Sequence, residues 1–183
     1  PGQNSGDPAD AWGQPIQVLG LLDGPEGISV GGDGDVYLAD LPPRVQRWST
    51  AGAALGQVAG EDFIEATGSS DGVYAATVDR LSLYPPGATD PAWDVEIAGG
   101  VPGQRDTAVA GIAWDADKSA VAVLDGPSGK VLWYDQTGAA AGDLTLRGSD
   151  GLRAAWADVT LWSDGSIGGL DAGNRQIRVF STT

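Results

Sequence analysis

The 183-residue chain contains no cysteine, no histidine and no methionine. Without cysteine there is no disulfide, no thiolate metal site and no thiol nucleophile. Without histidine the chain lacks the side chain that most often moves protons near neutral pH and most often ligates metals. Ser-His-Asp and Cys-His nucleophile systems are therefore impossible. With Pro1 first and no methionine anywhere, the chain is expected to be a processed mature protein or part of a longer one.

Cations are scarce as well: 10 Lys and Arg stand against 25 Asp and Glu, a net charge of −15. That balance opposes binding to nucleic-acid phosphates and to anionic lipid headgroups, and otherwise keeps the protein soluble. No apolar run approaches the roughly 20 residues that a membrane-spanning helix requires, so direct membrane insertion is not expected. No signal peptide is present in the chain. Removal of one before Pro1 would fit an extracellular or periplasmic protein, the localisation expected here, and excision from a larger polypeptide would look the same.

Long 3.6-residue periodicity is missing too. What the chain has instead is 29 Gly and 11 Pro scattered at turn-like intervals through a 42% hydrophobic sequence, a composition of many short strands around a buried core. Residues 25–60 show the unit. Ile28–Val30 and Val36–Ala39 are β-prone runs joined across Asp33-Gly34, a dipeptide that predicts a two-residue type I′ hairpin. Val45–Trp48 and Leu55–Val58 supply a third and a fourth run.

The unit recurs. Its hairpin dipeptide returns as Asp71-Gly72, Asp117-Lys118 and Asp164-Gly165, at successive intervals of 38, 46 and 47 residues. The second run returns at 73–76, 121–124 and 167–170, and three of the four copies end in an acid: Asp40, Asp125 and Asp171, with Thr77 in the remaining place. The third run is the best preserved: Arg44–Trp48, Arg80–Tyr84, Lys130–Tyr134 and Gln176–Phe180. A lone four-stranded meander cannot cover its own faces, so such units stack. The expectation is an all-β chain forming a β-propeller of four blades, each of four antiparallel strands.

The ends of the chain complete this reading. Residues 1–14 read as a flexible leader or linker end, and 15–183 as the propeller. Pro15–Leu22 is a β-like run that precedes the first blade, while the fourth blade stops at Thr183 without a fourth strand. Ile16–Leu21 is therefore expected to complete the last blade and close the ring. The alternative, that further blades lie on another chain or outside this segment, stays open.

The first blade, P-x-G-I-x-V-x-x-D-G-D-V-Y-L-A-D-x-x-x-x-R-V-Q-x-W, resembles the NHL repeat, and the fourth, with Asp164-Gly165 and residues 170–180, is similar to it. The resemblance covers 25–180. It implies a propeller that binds proteins or ligands across one face, in bacteria often as an extracellular or sensor domain. A minority of related propellers are enzymes, including amidating lyases and lactonases.

Two repeat-equivalent sets carry chemistry. Asp40, Asp125 and Asp171 could gather oxygens for a divalent cation such as Ca²⁺, or each could accept backbone N–H groups within its own loop. Arg44, Arg80, Lys130 and Arg175 stand at or just before the third run and could grip a carboxylate-bearing partner, or pair with acids across their own loops. Pro42, Pro43 and Arg105 mark connecting loops on the same reading. Trp48 and Trp133 are expected in the core between blades, whereas Trp12 and Trp156 are candidates for exposed anchors. No cofactor is expected. The function expected is a non-catalytic protein-binding or scaffolding module of a larger extracytoplasmic assembly. The alternative is a propeller-type hydrolase or lyase using an Asp-bound divalent cation.

Overall fold

A computed structural model describes residues 24–40, 43–60, 62–97, 109–147 and 154–181. Every regular element among them is a β-strand, and the strands form four antiparallel sheets. Blade 1 holds β1 (Gly27–Val30), β2 (Val36–Asp40), β3 (Arg44–Trp48) and β4 (Ala54–Ala59). Blade 2 holds β5 (Glu65–Ser69), β6 (Gly72–Ala76), β7 (Arg80–Tyr84) and β8 (Trp93–Glu96). Blade 3 holds β9 (Val109–Asp115), β10 (Ala120–Asp125), β11 (Lys130–Asp135) and β12 (Ala140–Thr145). Blade 4 holds β13 (Trp156–Leu161), β14 (Ile167–Asp171) and β15 (Gln176–Phe180). In each sheet the spatial order follows the sequence order, so every blade is a meander of local hairpins. These are propeller blades, as the repeat predicts. The segment expected to add a fourth strand to blade 4, Ile16–Leu21, lies outside the described residues, as do the leader and Trp12.

One turn design recurs, and it differs from the type I′ turn expected. At the Asp33-Gly34 hairpin, Gly31 N donates to Asp35 O and Gly34 N to Gly31 O. Only Gly34 has a positive φ, 83°. This is a tight turn followed by a single left-handed residue, the three-residue hairpin loop whose last position favours glycine. Gly52, Gly138 and Gly165 repeat it with φ of 80°, 80° and 81° and the same pair of backbone bonds. The dipeptide therefore locates the turn but not its geometry, because one left-handed residue suffices once the loop has three members.

The described residues form two compact units, one built mainly on blades 1 and 2 and the other mainly on blades 3 and 4. In the first, Tyr37, Ala39, Val45 and Val58 of blade 1 pack on Phe63, Ala66, Val73, Ala75 and Tyr84. The sheets are also tied by hydrogen bonds from Ser29 Oγ to Ala66 O (2.6 Å) and from Gly32 N to Gly68 O (2.7 Å). In the second unit, Ala122, Leu124, Val131 and Trp133 of blade 3, with Leu146, pack on Trp156, Val159 and Ile167 of blade 4. In β10 the run Ala120–Leu124 is apolar and 0% exposed throughout, as a strand covered on both faces requires.

Trp156 is a correction to the sequence reading. It is a buried member of β13, 9% exposed, with its ring set edge-on against Phe180 at 5.8 Å between centroids. Strand β13 begins at Trp156, and a bulge between Trp156 and Asp158 breaks the alternation that would mark this start in the sequence. Trp133 is core, as expected, at 3% exposure.

Gly68 shows how close the first two blades come. A methyl group placed on it would collide with the buried Tyr37 ring. Gly68→Ala is therefore expected to destabilise the protein by about 1–3 kcal/mol, the usual cost of overfilling a packed core. Chemical denaturation followed by tryptophan fluorescence checks this, and an unchanged midpoint would contradict it.

Candidate functional site

The residues singled out by the sequence cluster where the second strand of each blade turns into the third. An acid that ends the second strand lies beside a tight connection whose backbone N–H groups have no ladder partners, so its carboxylate is well placed to accept from them. In blade 4, Asp171 accepts at Oδ1 from Ala155 N (3.1 Å) and Asn174 N (3.2 Å), and at Oδ2 from Asn174 Nδ2 (2.8 Å) and Arg178 Nε (2.9 Å). Its burial alone would push the carboxyl up, but Asn174, the Ala155 N–H and Arg178 outweigh that and hold it at about 2. In blade 1, a single oxygen of Asp40 accepts from Arg44 Nε (3.1 Å), Arg44 NH2 (2.7 Å) and Gln46 Nε2 (3.0 Å), and both Asp40 and Arg44 are buried. In blade 3, Asp125 accepts from Ser128 Oγ (2.5 Å) and Ser128 N (3.5 Å).

The four cations at this end of the blades are placed differently. Arg44 turns inward to its buried ion pair. Arg80 and Lys130 reach the outer strands of their own blades: Arg80 pairs with Asp94 on β8, and Lys130 lies 3.7 Å from Asp143 on β12. Their side chains remain 43% and 48% exposed. Arg175 is exposed and occupies a left-handed backbone position, φ 57°, in the β14–β15 turn. Pro43 is half-buried at the start of β3, whereas Pro42 and Arg105 lie outside the described residues. Among the described residues no three acids stand where they could hold a metal ion together.

Other charged clusters stand beyond the residues that the sequence reading named. In blade 1, Arg47 bridges Asp33 (3.0 Å) and Asp35 (2.5 Å), and the buried Tyr37 hydroxyl donates to Asp33 at 2.6 Å. Burial and that carboxylate acceptor raise the tyrosine's pKa. In blade 3, Asp115 accepts from Lys118 Nζ (2.8 Å), Lys118 N (3.0 Å) and Trp133 Nε1 (2.8 Å). Burial works to raise this carboxyl, and those donors hold it below its ordinary value. The signal was available: both clusters flank hairpin turns that the repeat locates, with an acid next to the turn and a cation or tryptophan on a neighbouring strand or in the turn itself.

These bonds make blade 4 acid-sensitive. A carboxyl whose folded pKa is depressed contributes stability that is present above its ordinary value of 3.8 and lost as pH falls through the folded one. The native protein should lose stability between about pH 4 and pH 2. Asp171→Asn should be less stable at neutral pH and should show a flatter decline over that window. Urea denaturation at a series of pH values measures both, and parallel pH profiles for the two proteins would contradict the assignment.

No protein-family model matches the sequence, and no curated protein does either. The fold is similar to solved structures of a streptogramin B lyase (TM-score 0.53, 15% identity, 87% of this chain and 55% of that one) and of the WD40 repeats of RRP9 (TM-score 0.55, 15% identity, 90% and 53%). It is also similar to a catalytically inactive virginiamycin B lyase from Staphylococcus aureus with quinupristin (TM-score 0.55, 15% identity, 90% and 58%). The chain thus spans a little over half the length of the structures it matches. At this identity the likeness concerns architecture, and with the blade-by-blade meander it shows a β-propeller.

Proposed function

We propose that the chain is a non-catalytic protein-binding or scaffolding propeller, part of a larger extracytoplasmic assembly, that engages an acidic segment of its partner through the turns between second and third strands. The observation that carries this reading is the contrast at those turns. Asp40, Asp125 and Asp171 are bound into the fold, whereas Arg80 and Lys130 keep 43% and 48% of their side chains exposed beside Asp94 and Asp143, and Arg175 is exposed, on a molecule of net charge −15. Exposed guanidinium and ammonium groups recognise carboxylates and steer an acidic partner locally despite the unfavourable overall charge. The NHL-like pattern of blades 1 and 4 supports the reading, and so does the similarity to WD40 repeats.

The competing reading is a hydrolase or lyase with an Asp-bound divalent cation, and two of the structures similar in fold are lyases. It would require Asp40 and Asp171 to release an arginine each before they could ligate a metal. Removal of one partner from such a buried pair leaves an uncompensated charge and costs about 3–5 kcal/mol.

Two measurements test the proposal. Equilibrium dialysis against Ca²⁺ or Zn²⁺ should find no stoichiometric binding, and one tightly bound ion per chain would favour the enzyme. For the partner that co-purifies with the native protein, the triple variant Arg80→Ala, Lys130→Ala, Arg175→Ala should bind about tenfold or more weakly, a loss of about 1.4 kcal/mol or more. Undiminished affinity would refute the proposed surface.

A further inference from the structure

Three blades share one more bond just beyond their fourth strands, and it makes their turn ends comparable. The residue that follows the fourth strand donates its N–H to the carbonyl just before the third: Gly60 N to Pro43 O (3.2 Å) in blade 1, Ile97 N to Asp79 O (2.7 Å) in blade 2 and Leu146 N to Gly129 O (2.8 Å) in blade 3. The next residue in the chain is Glu61, Ala98 and Arg147 respectively. Of the three blades, only blade 3 carries a cation at this position.

Register fixes what Arg147 stands beside. Lys130 pairs with Thr145 and Leu132 with Asp143, so Asp143, Thr145 and Lys130 share one face of the blade, whereas Leu144 and Leu146 pack in the core on the other. Alternation carries Arg147 onto the face of Lys130, diagonally across the ladder at about 7–8 Å. Arg147 is exposed and makes no ion pair among the described residues, and Lys130 reaches Asp143 only at 3.7 Å. Blade 2 builds the same row with the opposite sign. There Arg80 pairs with Asp94, and Glu96 stands two residues further along β8 on the same face. Arg80 therefore lies among acids, whereas Lys130 has Asp143 on one side and Arg147 on the other. Two cations placed in this way repel each other, and an anion seated between them offsets the repulsion and attracts both.

We propose that Lys130 and Arg147 form one seat for a carboxylate side chain of the acidic partner, with Arg147 as a determinant of the same weight as Lys130. This inference rests on the reading of the turn ends as a surface for an acidic segment, and it deepens that reading by placing a contact on blade 3. A carboxylate suits the pair: the planar guanidinium of Arg147 takes its oxygens in a fork, and the ammonium of Lys130 adds a point charge on a flexible stem. Both groups belong to blade 3, so the seat needs nothing from another blade.

The probe is a labelled hexaglutamate peptide, with hexaglutamine as its control, titrated with the protein at low ionic strength and followed by fluorescence anisotropy. The native protein should bind hexaglutamate and not hexaglutamine. Arg147→Ala and Lys130→Ala should each weaken binding about three- to fivefold, the range of an exposed ion pair, and Arg147→Lys should keep most of the affinity. Because the two groups share one carboxylate, the double variant should lose less than the product of the two single losses. Neither side chain belongs to the core, and circular dichroism checks that each variant keeps its sheet. Native affinity in Arg147→Ala, with the triple variant Arg80→Ala, Lys130→Ala, Arg175→Ala weakened, would overturn the seat and leave the surface standing. Single losses that multiply would reveal two separate contacts and overturn the seat as well. No binding of hexaglutamate by the native protein would overturn surface and seat together.

Discussion

Coverage of sheet faces is the constraint on which this molecule depends. A sheet of four short strands satisfies its own backbone hydrogen bonds but leaves two faces, and an apolar face in water has no compensation. Burial of one valine or leucine side chain is worth about 1.5–3 kcal/mol, so each blade is stable only through what lies against it. The packing of Tyr37, Ala39 and Val45 on Ala66 and Val73, and of Leu124, Val131 and Trp133 on Trp156 and Val159, is the same solution used twice. Small residues make it possible where the layers come closest, as Gly68 does beneath Tyr37.

The same constraint explains what the acids are for. Short connections leave N–H groups unpaired at the ends of buried strands, and such groups must find acceptors. Asp125 and Asp171 supply them, Asp40 accepts from the side chains of Arg44 and Gln46, and in blades 1 and 4 an arginine shares the carboxylate. Acidity at these positions therefore serves the fold.

Much of the architecture was legible because a repeat repeats its punctuation. The third-strand runs Arg80–Tyr84 and Gln176–Phe180 coincide with strands β7 and β15. Less legible was anything set by three-dimensional register. Arg175 was legible as a cation beside the third strand, yet it sits exposed in a left-handed turn position. Arg178 shares a face with Asp171 and binds it. Trp156 reads as an exposed anchor because a bulge hides its alternation, whereas its ring is buried and Gly169 makes room for it. Side-chain partners across strands depend on pairing offsets that one strand's sequence does not contain.

Hydrogen exchange addresses the coverage claim most directly. If a strand's protection depends on what lies against its faces, amides of β10, whose residues Ala120–Leu124 are fully buried, should exchange much more slowly than those of β14, where Leu170 lies open, although both strands are paired on both edges. Equal protection of β10 and β14 would contradict the account.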